Sequence, residues 1–244
     1  MIDPDMLLRA YAIGVFPMSD GRETNEVFWV EPKWRAIIPI EGFRLSHSLR
    51  KTLRAGTFEV TADRAFGDVI RRCAEREETW INRSIEESFV RLHQLGRAHS
   101  IECWQGGKLS GGLYGVALGG AFFGESMFSR RRDASKVALA WLVARLKVGG
   151  YRLLDCQFMT EHLRSLGAIE ISQKDYLALL DSAVGGLGAA GGDAAGAGAA
   201  AGAAARAEGA EFGALDRLLA ADPARTVDAP ASGCVIAQLL TQTS

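Results

Sequence analysis

The chain has 244 residues, of which 48% are hydrophobic and 23% charged, and its formal net charge at pH 7 is −1. This composition is typical of a globular protein with a substantial core, and the charge argues against a wholly basic nucleic-acid-binding protein. The longest uncharged apolar run, about residues 111–124, is too short to span a bilayer. The N-terminus lacks a basic segment, so we expect no signal peptide, and four cysteines without CxxC spacing predict reduced cytoplasmic thiols.

The first half of the chain is predicted to form short helices and strands. Asp3 and Pro4 fit the start of a helix, and Ser84 with Glu87 fits a capping box. In chain order we predict a helix over 3–12, an extended pair over 28–30 and 36–40, a helix from Ser46 or Ser48 to Arg54, a strand over 58–61, a helix from Asp63 to Arg76, and a helix from Asn82 or Ser84 to Gly96.

The second half has a more distinctive order of elements. Turn signals at Gly106-Gly107 and Gly119-Gly120 separate three strands and predict an antiparallel meander. The predicted elements are strands over 100–105, 109–118 and 121–128, a helix over about 134–147, a strand over 152–158, a short helix over 160–167, a strand over 168–171, and a helix from Ser172 to Leu180. This order is similar to that of the acyltransferase superfamily typified by N-acetyltransferases, so we predict an α+β fold with a mixed sheet.

Basic residues are concentrated in two segments. Residues 128–152 contain seven Arg or Lys residues and one acidic residue, and residues 44–54 contain four basic residues and no acidic one. One interpretation is a pair of solvated faces. The other is a binding site for a phosphate-bearing acyl donor, because Arg130–Arg132 and Lys136 flank a helix N-terminus, which favours anions. The glycine-rich pyrophosphate loop of acetyl-coenzyme A enzymes is absent, so we expect a donor other than coenzyme A.

Three polar residues interrupt strands that are otherwise apolar. Asp155 and Gln157 lie in RLLDCQF, and Glu125 lies in AFFGESMF. Burying such groups without partners costs roughly several kcal/mol of folding free energy, so they need hydrogen-bond partners. One interpretation is an internal polar network; the other is a polar cleft between splayed strands that orients an amine against an ester. By strand alternation, we expect Cys156 to point away into packing.

Long, ordered segments resemble the leucyl/phenylalanyl-tRNA–protein transferase family over residues 1 to about 181. The segments are YAIGVFPM (11–18), FWVEP (28–32), TWI (79–81), LGRAHSIECW (95–104), GGLYGVALGGAFFGESMFSR (111–130), DASK (133–136), LLDCQF (153–158) and HLRSLGA (162–168). The resemblance implies a small N-terminal domain and an acyltransferase-like C-terminal domain. It also implies transfer of Leu or Phe from aminoacyl-tRNA to the N-terminal Arg or Lys of a protein, which marks that protein for N-end rule degradation in the cytoplasm.

The family motifs imply roles for individual residues. Asp155 and Gln157 match residues that handle the acceptor α-amine, and Glu125 matches a third polar residue of the site. Trp80 and Met127 match residues that line the aminoacyl-adenosine site. Trp29 matches the second Trp of a W-W-S-P motif, which reads FWVEP here. Phe28 replaces the first Trp and Val30 the Ser, a departure that bears on the shape of the entrance and not on the reaction class.

The physical properties of these segments agree with such a substrate. Leu113, Phe122, Phe123, Met127 and Leu154 could form an apolar pocket for Leu, Phe or Met that crowds β-branched side chains. Trp80 could stack on the terminal adenine or be a half-buried core residue. We expect contacts to tRNA phosphates without base readout from Arg50, Lys51, Arg54, Arg130, Arg131 and Lys136. An ester already carries the activation energy, so we expect no metal or nucleotide cofactor.

We predict three segments: residues 1–62 as the N-terminal domain, 63–181 as the acyltransferase-like domain, and 182–244 as an Ala/Gly-rich flexible tail. Of residues 183–210, 23 of 28 are Ala or Gly. Residues 212–221 could form a short helix and residues 234–240 an apolar patch, and we expect deletion of residues 185–244 to leave activity intact.

Three alternative functions remain open on the sequence. One is a transferase that adds an amino acid from aminoacyl-tRNA to a peptidoglycan precursor or a lipid. Another is a noncatalytic tRNA-binding adaptor, which would leave the ester intact. A coenzyme A-dependent acetyltransferase is third and is disfavoured by the missing glycine loop.

Overall fold

The computed structural model of the chain describes residues 1–185, 210–221 and 229–241. Its helices and strands, in chain order, are α1 (Pro4–Ala12), β1 (Phe16–Met18), β2 (Phe28–Val30), β3 (Trp34–Ile37), α2 (His47–Arg54), β4 (Glu59–Ala62), α3 (Phe66–Ala74), α4 (Arg83–Gln94), β5 (Ala98–Gln105), β6 (Lys108–Leu118), β7 (Ala121–Ser129), α5 (Ala134–Val148), β8 (Leu153–Gln157), α6 (Glu161–Ser165), β9 (Ile169–Ser172), α7 (Gln173–Val184), α8 (Ala214–Ala220) and α9 (Ala229–Leu239).

A mixed sheet of seven strands forms the centre of the fold, in the order β4-β5-β6-β7-β8-β3-β9. Strands β5, β6 and β7 are the predicted antiparallel meander. Strand β8 runs parallel to β7, while β3 is antiparallel to both β8 and β9. The α+β prediction, with its order of three strands, helix, strand, helix and strand, is therefore confirmed.

The predicted pairing of the extended segments 28–30 and 36–40 is wrong. Strand β2 pairs with β1 instead, and β3 lies between β8 and β9 in the main sheet. Ala36 and Ile37 are buried, so this segment is stabilised as an inner strand with a partner on each side. Strands β3 and β4 belong to the same sheet as the later strands. A domain boundary after residue 62 stays a prediction.

The helix starts are partly as predicted. Asp3, Ser46 and Ser172 each accept a hydrogen bond from a backbone N–H in the first turn of α1, α2 and α7. The Asp63 cap predicted for α3 is wrong, because its carboxylate accepts the backbone N–H of Ser100 on β5. Of the two starts predicted for α4, Asn82 is confirmed as the N-cap, whereas Ser84 is not the cap.

Helices cover both faces of the sheet, and alternate strand residues point to opposite sides. Leu113, Phe122 and Leu154 belong to one apolar cluster, and the neighbouring Tyr114 and Phe123 belong to the other. Buried residues of α2, α5, α8 and α9 complete the first cluster, while α1, α3, α4 and α7 complete the second. No helix among the described residues is long and apolar enough to cross a membrane.

The C-terminal helices pack onto the first cluster. The Phe212 ring stacks on the rings of His99 at 4.0 Å and Phe122 at 5.7 Å. The buried Arg145 on α5 donates to Asp216 of α8 at 2.6 Å, and Ile236 of α9 is fully buried. The predicted helix over 212–221 is observed as α8, whereas most of the stretch predicted to be flexible lies outside the described residues.

This packing changes the expected effect of the tail on stability. We expect Phe212→Ala to lower the free energy of unfolding by about 3 kcal/mol, because it opens a cavity beside Phe122. Denaturant unfolding followed by circular dichroism measures it. Leu218→Ala on the exposed side of α8 is the control and should cost less than about 0.5 kcal/mol. Equal stability of the two variants would mean that the Phe212 ring does not pack on the core.

Candidate active site

The main cavity lies where two parallel strands separate. Strands β7 and β8 pair only from Ala121–Phe123 to Leu153–Asp155, and both continue beyond this point without pairing to each other. A cavity of about 460 Å³ fills the space between their ends. The splayed cleft predicted from the polar residues is therefore present, and its size suits a small organic group.

One side of the cavity is apolar. The strands contribute Leu113 and Leu154, and the helices contribute Leu139 and Leu142 of α5 and Leu163 of α6. All five are nearly fully buried, so they form a preformed hydrophobic surface. Met127 and the half-buried Trp80 complete this wall and add adaptable and aromatic surface. Such a wall favours an apolar side chain over a charged one.

A β-bulge directs Glu125 into the cavity. In the pairing of β6 with β7, Tyr114 lies opposite Ser126 and Gly115 lies opposite Gly124, so Glu125 has no partner residue. A bulge of this kind reorients a side chain without ending the strand. One carboxylate oxygen, Oε1, accepts hydrogen bonds from the Tyr11 hydroxyl at 2.7 Å and from Gln157 Nε2 at 2.9 Å. The other, Oε2, is buried and has no hydrogen-bond partner among the described residues.

The environment of Glu125 shifts its protonation equilibrium. Burial raises the pKa of this carboxyl to about 7, and the hydrogen bonds from Tyr11 and Gln157 only partly oppose that effect. Burial and the neighbouring Glu125 also raise the pKa of Tyr11, so the tyrosine stays protonated and donates. A carboxyl group with a pKa near 7 is suited to exchange a proton with an amine at neutral pH.

Asp155 lies behind the cavity rather than on its surface. It is fully buried and forms an ion pair with Arg35 of β3, whose Nη2 lies 2.6 Å from Oδ2. The Tyr176 hydroxyl donates to the same oxygen at 2.9 Å, and the backbone N–H of Gln157 donates to Oδ1 at 2.7 Å. With both oxygens occupied, Asp155 is arranged to hold its neighbours in place.

Arg35 is equally enclosed. Its guanidinium donates to the backbone oxygen of Gly14 at 2.9 Å and lies over the rings of Phe16 and Tyr176. Burial opposes its charge, but the contact with Asp155 more than offsets this, so the pKa of Arg35 is raised. Asp155→Ala would therefore leave a buried, unpaired cation, so a loss of activity in this variant would reflect lost folding stability as well as lost chemistry.

Gln157 connects the two carboxylates. Its backbone is in the left-handed region, with φ of 62°, which is unusual for a residue other than glycine. The hydrogen bond from its N–H to Asp155 stabilises this conformation, and its side chain then reaches Glu125. The structure thus brings Glu125, Asp155 and Gln157 together in one hydrogen-bonded group, with Glu125 and Gln157 on the cavity surface.

Strand alternation does not keep Cys156 out of the cavity. Its side chain packs against the core, as predicted, but it also lines the cavity next to Gln157. The reason is the alternation itself, because Cys156 lies on the same face of β8 as Leu154, which also lines the cavity. Burial raises the pKa of the Cys156 thiol, so it stays protonated and is a poor nucleophile.

Of the predicted pocket residues, Phe122, Phe123 and Trp29 do not line the cavity. The Phe122 ring is fully buried and contacts Tyr151 and Phe212, on the side of the core that α8 covers. Phe123 is fully buried in the other apolar cluster, against Tyr11. Trp29 lies on β2, opposite Pro17 of β1, and is 39% exposed. In contrast, Leu113, Trp80, Met127 and Leu154 all line the cavity.

The predicted phosphate contacts lie on α2 and around the start of α5. Lys51 and Arg54 are exposed and Arg50 is half-buried on α2, against which α9 packs. Arg131 is exposed, and Lys136 lies 3.7 Å from Asp133 at the start of α5. Arg130 lines a second cavity of about 410 Å³ beside the first.

Several cavity residues were missed by the sequence reasoning. Leu139, Leu142 and Leu163 are core positions of predicted helices, and helix periodicity alone does not distinguish a core residue from a pocket residue. Arg76 and His162 line both cavities. A signal for His162 existed, since it begins the HLRSLGA segment. Within the described residues, no group of three or more His, Cys, Asp or Glu side chains is placed to hold a metal ion.

Comparison with known proteins gives consistent matches along the chain. The profile described as leucyl/phenylalanyl-tRNA protein transferase matches residues 37–181, and the profile of that family's N-terminal domain matches residues 1–33. A protein of Rhizorhabdus wittichii named leucyl/phenylalanyl-tRNA–protein transferase is 62% identical over 100% of this chain and 99% of its own length. A protein of Zymomonas mobilis with the same name is 64% identical over 75% of this chain and 70% of its own length.

Among solved structures, L-PGS from Bacillus licheniformis matches with a TM-score of 0.35 and 15% identity, over 67% of this chain and 55% of that chain. The two profiles together span most of residues 1–181, and the R. wittichii relative spans the whole chain. The chain therefore belongs to the leucyl/phenylalanyl-tRNA–protein transferase family.

Proposed function

We propose that this protein transfers Leu or Phe from aminoacyl-tRNA to the N-terminal Arg or Lys of acceptor proteins, which marks them for N-end rule degradation in the cytoplasm. The observation that carries the proposal is the single cavity that combines an apolar leucine wall with the Glu125–Gln157 pair. The apolar wall suits the aminoacyl side chain, and the polar pair suits the reacting amine. Family membership supports the same reaction class.

In the proposed reaction, the neutral α-amine of the acceptor attacks the ester carbonyl carbon. A C–N bond forms, the ester C–O bond breaks, and the tRNA 3′-oxygen leaves as a hydroxyl after it gains a proton. Glu125 Oε2, which has no hydrogen-bond partner among the described residues, accepts the proton that the amine loses and donates it to the leaving 3′-oxygen. Gln157 orients Glu125, and Asp155 with Arg35 fixes the backbone of Gln157.

The proposed substrate contacts follow the cavity wall. Leu113, Leu154, Leu139 and Leu142 surround the aminoacyl side chain, and Met127 adapts to its shape. Trp80 stacks on the terminal adenine. The tRNA phosphates contact Arg50, Lys51, Arg54, Arg130, Arg131 and Lys136.

One assay distinguishes this function from the alternatives. Purified protein is incubated with labelled Phe-tRNA, Leu-tRNA or acetyl-coenzyme A and with peptides that begin with Arg, Lys or Ala. We expect label in the Arg and Lys peptides from both aminoacyl-tRNAs, and none from acetyl-coenzyme A. Bound but unreacted Phe-tRNA would indicate an adaptor, and labelling of a peptidoglycan precursor or lipid alone would indicate the related transferase.

Replacing Trp80 tests the adenine contact. We expect Trp80→Ala to raise KM for Phe-tRNA about tenfold, because stacking on one base contributes roughly 1–3 kcal/mol. Trp80→Phe should retain most of the affinity, since it keeps an aromatic face. Initial rates at varied Phe-tRNA concentration measure both variants, and unfolding temperatures control for folding. An unchanged KM in Trp80→Ala would assign the side chain to the core instead.

A further inference from the structure

The second cavity is basic and adjoins the first. Among the described residues, it is lined by Arg72 at the end of α3, Arg76 just beyond it and Arg130 after β7, together with one acidic residue, Glu75. The two cavities share the walls formed by Arg76, Met127 and His162. The aminoacyl cavity therefore opens directly beside a site with an excess of positive charge.

The arginines are held in place but retain free donors. Glu75 pairs with Arg72 at 3.3 Å and also with Arg130, and Arg76 donates to the backbone oxygen of Met127. Each guanidinium has five N–H donors, so these contacts leave several for a ligand. Planar guanidinium groups match the geometry of phosphate oxygens and can bind them through two parallel hydrogen bonds.

His162 lies on the wall between the cavities. Its Nε2 is buried and has no hydrogen-bond partner among the described residues. Burial, and then the nearby Lys136, lower the pKa of this imidazole, so it is neutral at pH 7. A neutral imidazole nitrogen at this place can exchange a hydrogen bond with a sugar hydroxyl.

We propose that the second cavity binds the phosphodiester group on the 5′-carbon of the same nucleoside that carries the aminoacyl ester. This inference rests on the proposed function and adds Arg72 and Arg76 to the donor site. In the esterified terminal nucleoside, the 3′- and 5′-carbons are separated by a single ring carbon. The ribose therefore lies against Met127 and His162, the ester enters the first cavity, and the phosphate enters the second.

The experiment compares two minimal donors that differ by one phosphate: 3′-O-phenylalanyl adenosine and its 5′-phosphate. With an Arg-initiated peptide as acceptor, we expect kcat/KM of the wild-type protein to be at least about fivefold higher for the phosphorylated donor. In Arg72→Gln and Arg130→Gln this preference should fall toward unity. With Phe-tRNA, each variant should also show a weaker salt dependence, with the log–log slope reduced by about 0.7.

Arg71→Gln provides the matched control. Arg71 is the neighbour of Arg72 on α3, pairs with Asp68, and does not line either cavity. It should keep the full preference for the phosphorylated donor. Equal use of both donors by the wild-type protein, or an equal loss with both donors in Arg72→Gln, would overturn the phosphate subsite. Absence of transfer from Phe-tRNA itself would instead overturn the proposed function.

Discussion

Glu125→Gln is expected to lower kcat for transfer from Phe-tRNA to an Arg-initiated peptide by at least about a hundredfold, the low side of general acid–base contributions. Glutamine keeps the size of the side chain and can still accept the hydrogen bond from Tyr11, but it cannot take a proton from the amine. Single-turnover rates with saturating donor measure the effect. A rate within about threefold of the wild-type rate would remove Glu125 from the proton transfer.

The pH profile gives a second measure of the same role. Since burial raises the pKa of Glu125 to about 7, its carboxylate form is lost as the pH falls through 7, and transfer should fall with it. The acceptor α-amine, whose pKa is about 8, must also lose a proton. Below pH 7 a plot of the logarithm of the wild-type rate against pH should therefore have a slope approaching two. The same plot for Glu125→Gln should have a slope of only one, which comes from deprotonation of the amine.

The pH dependence of folding stability provides a control for the raised pKa of Glu125. The unfolded chain releases the Glu125 proton near pH 4.5, but the folded protein keeps it until about pH 7. Ionisation of this residue therefore costs stability as the pH rises between these values. The stability of Glu125→Gln relative to the wild-type protein should increase over the same interval, as measured by denaturant unfolding at several pH values.

Arg35→Met is expected to lower the free energy of unfolding by about 3–5 kcal/mol, because it leaves the Asp155 carboxylate buried without its cation. Denaturant unfolding measures the loss. The double variant Arg35→Met/Asp155→Asn should lose much less unfolding free energy than the sum of the losses in the two single variants, since it has no unpaired buried charge. Strict additivity would show that the two residues do not interact.

An exposed ion pair serves as the comparison. Arg71 and Asp68 pair on the surface of α3, where their side chains are 58% and 57% exposed. Arg71→Met should cost less than about 1 kcal/mol, because solvent screens the pair. A similar cost at Arg35 would mean that the Asp155 network contributes little to the fold. In that case the left-handed backbone of Gln157 would be held by other contacts.

The candidate site was only partly predictable from local sequence. A carboxylate and an amide in an apolar strand already required partners, and this identified Asp155, Gln157 and Glu125. Which of them faces the substrate was not predictable. That difference depends on the bulge at Glu125 and on Arg35, which lies 120 residues before Asp155 in the chain. Similarly, their apolar character makes Phe122 and Phe123 candidate pocket residues, but both point into packed core.

The sequence by itself determined the order of the elements from β5 to α7, the caps of α1, α2 and α7, and the family. These features depend on residues within a few positions of one another, or on motifs that remain readable in any chain that carries them. Only the tertiary structure decided that β3 enters the sheet beside β8, that Asp155 is a buried support for Gln157, and that α8 and α9 cover the core. Such pairings join residues far apart in the chain, and their free energy comes from burial and hydrogen bonds that form only when the whole sheet assembles.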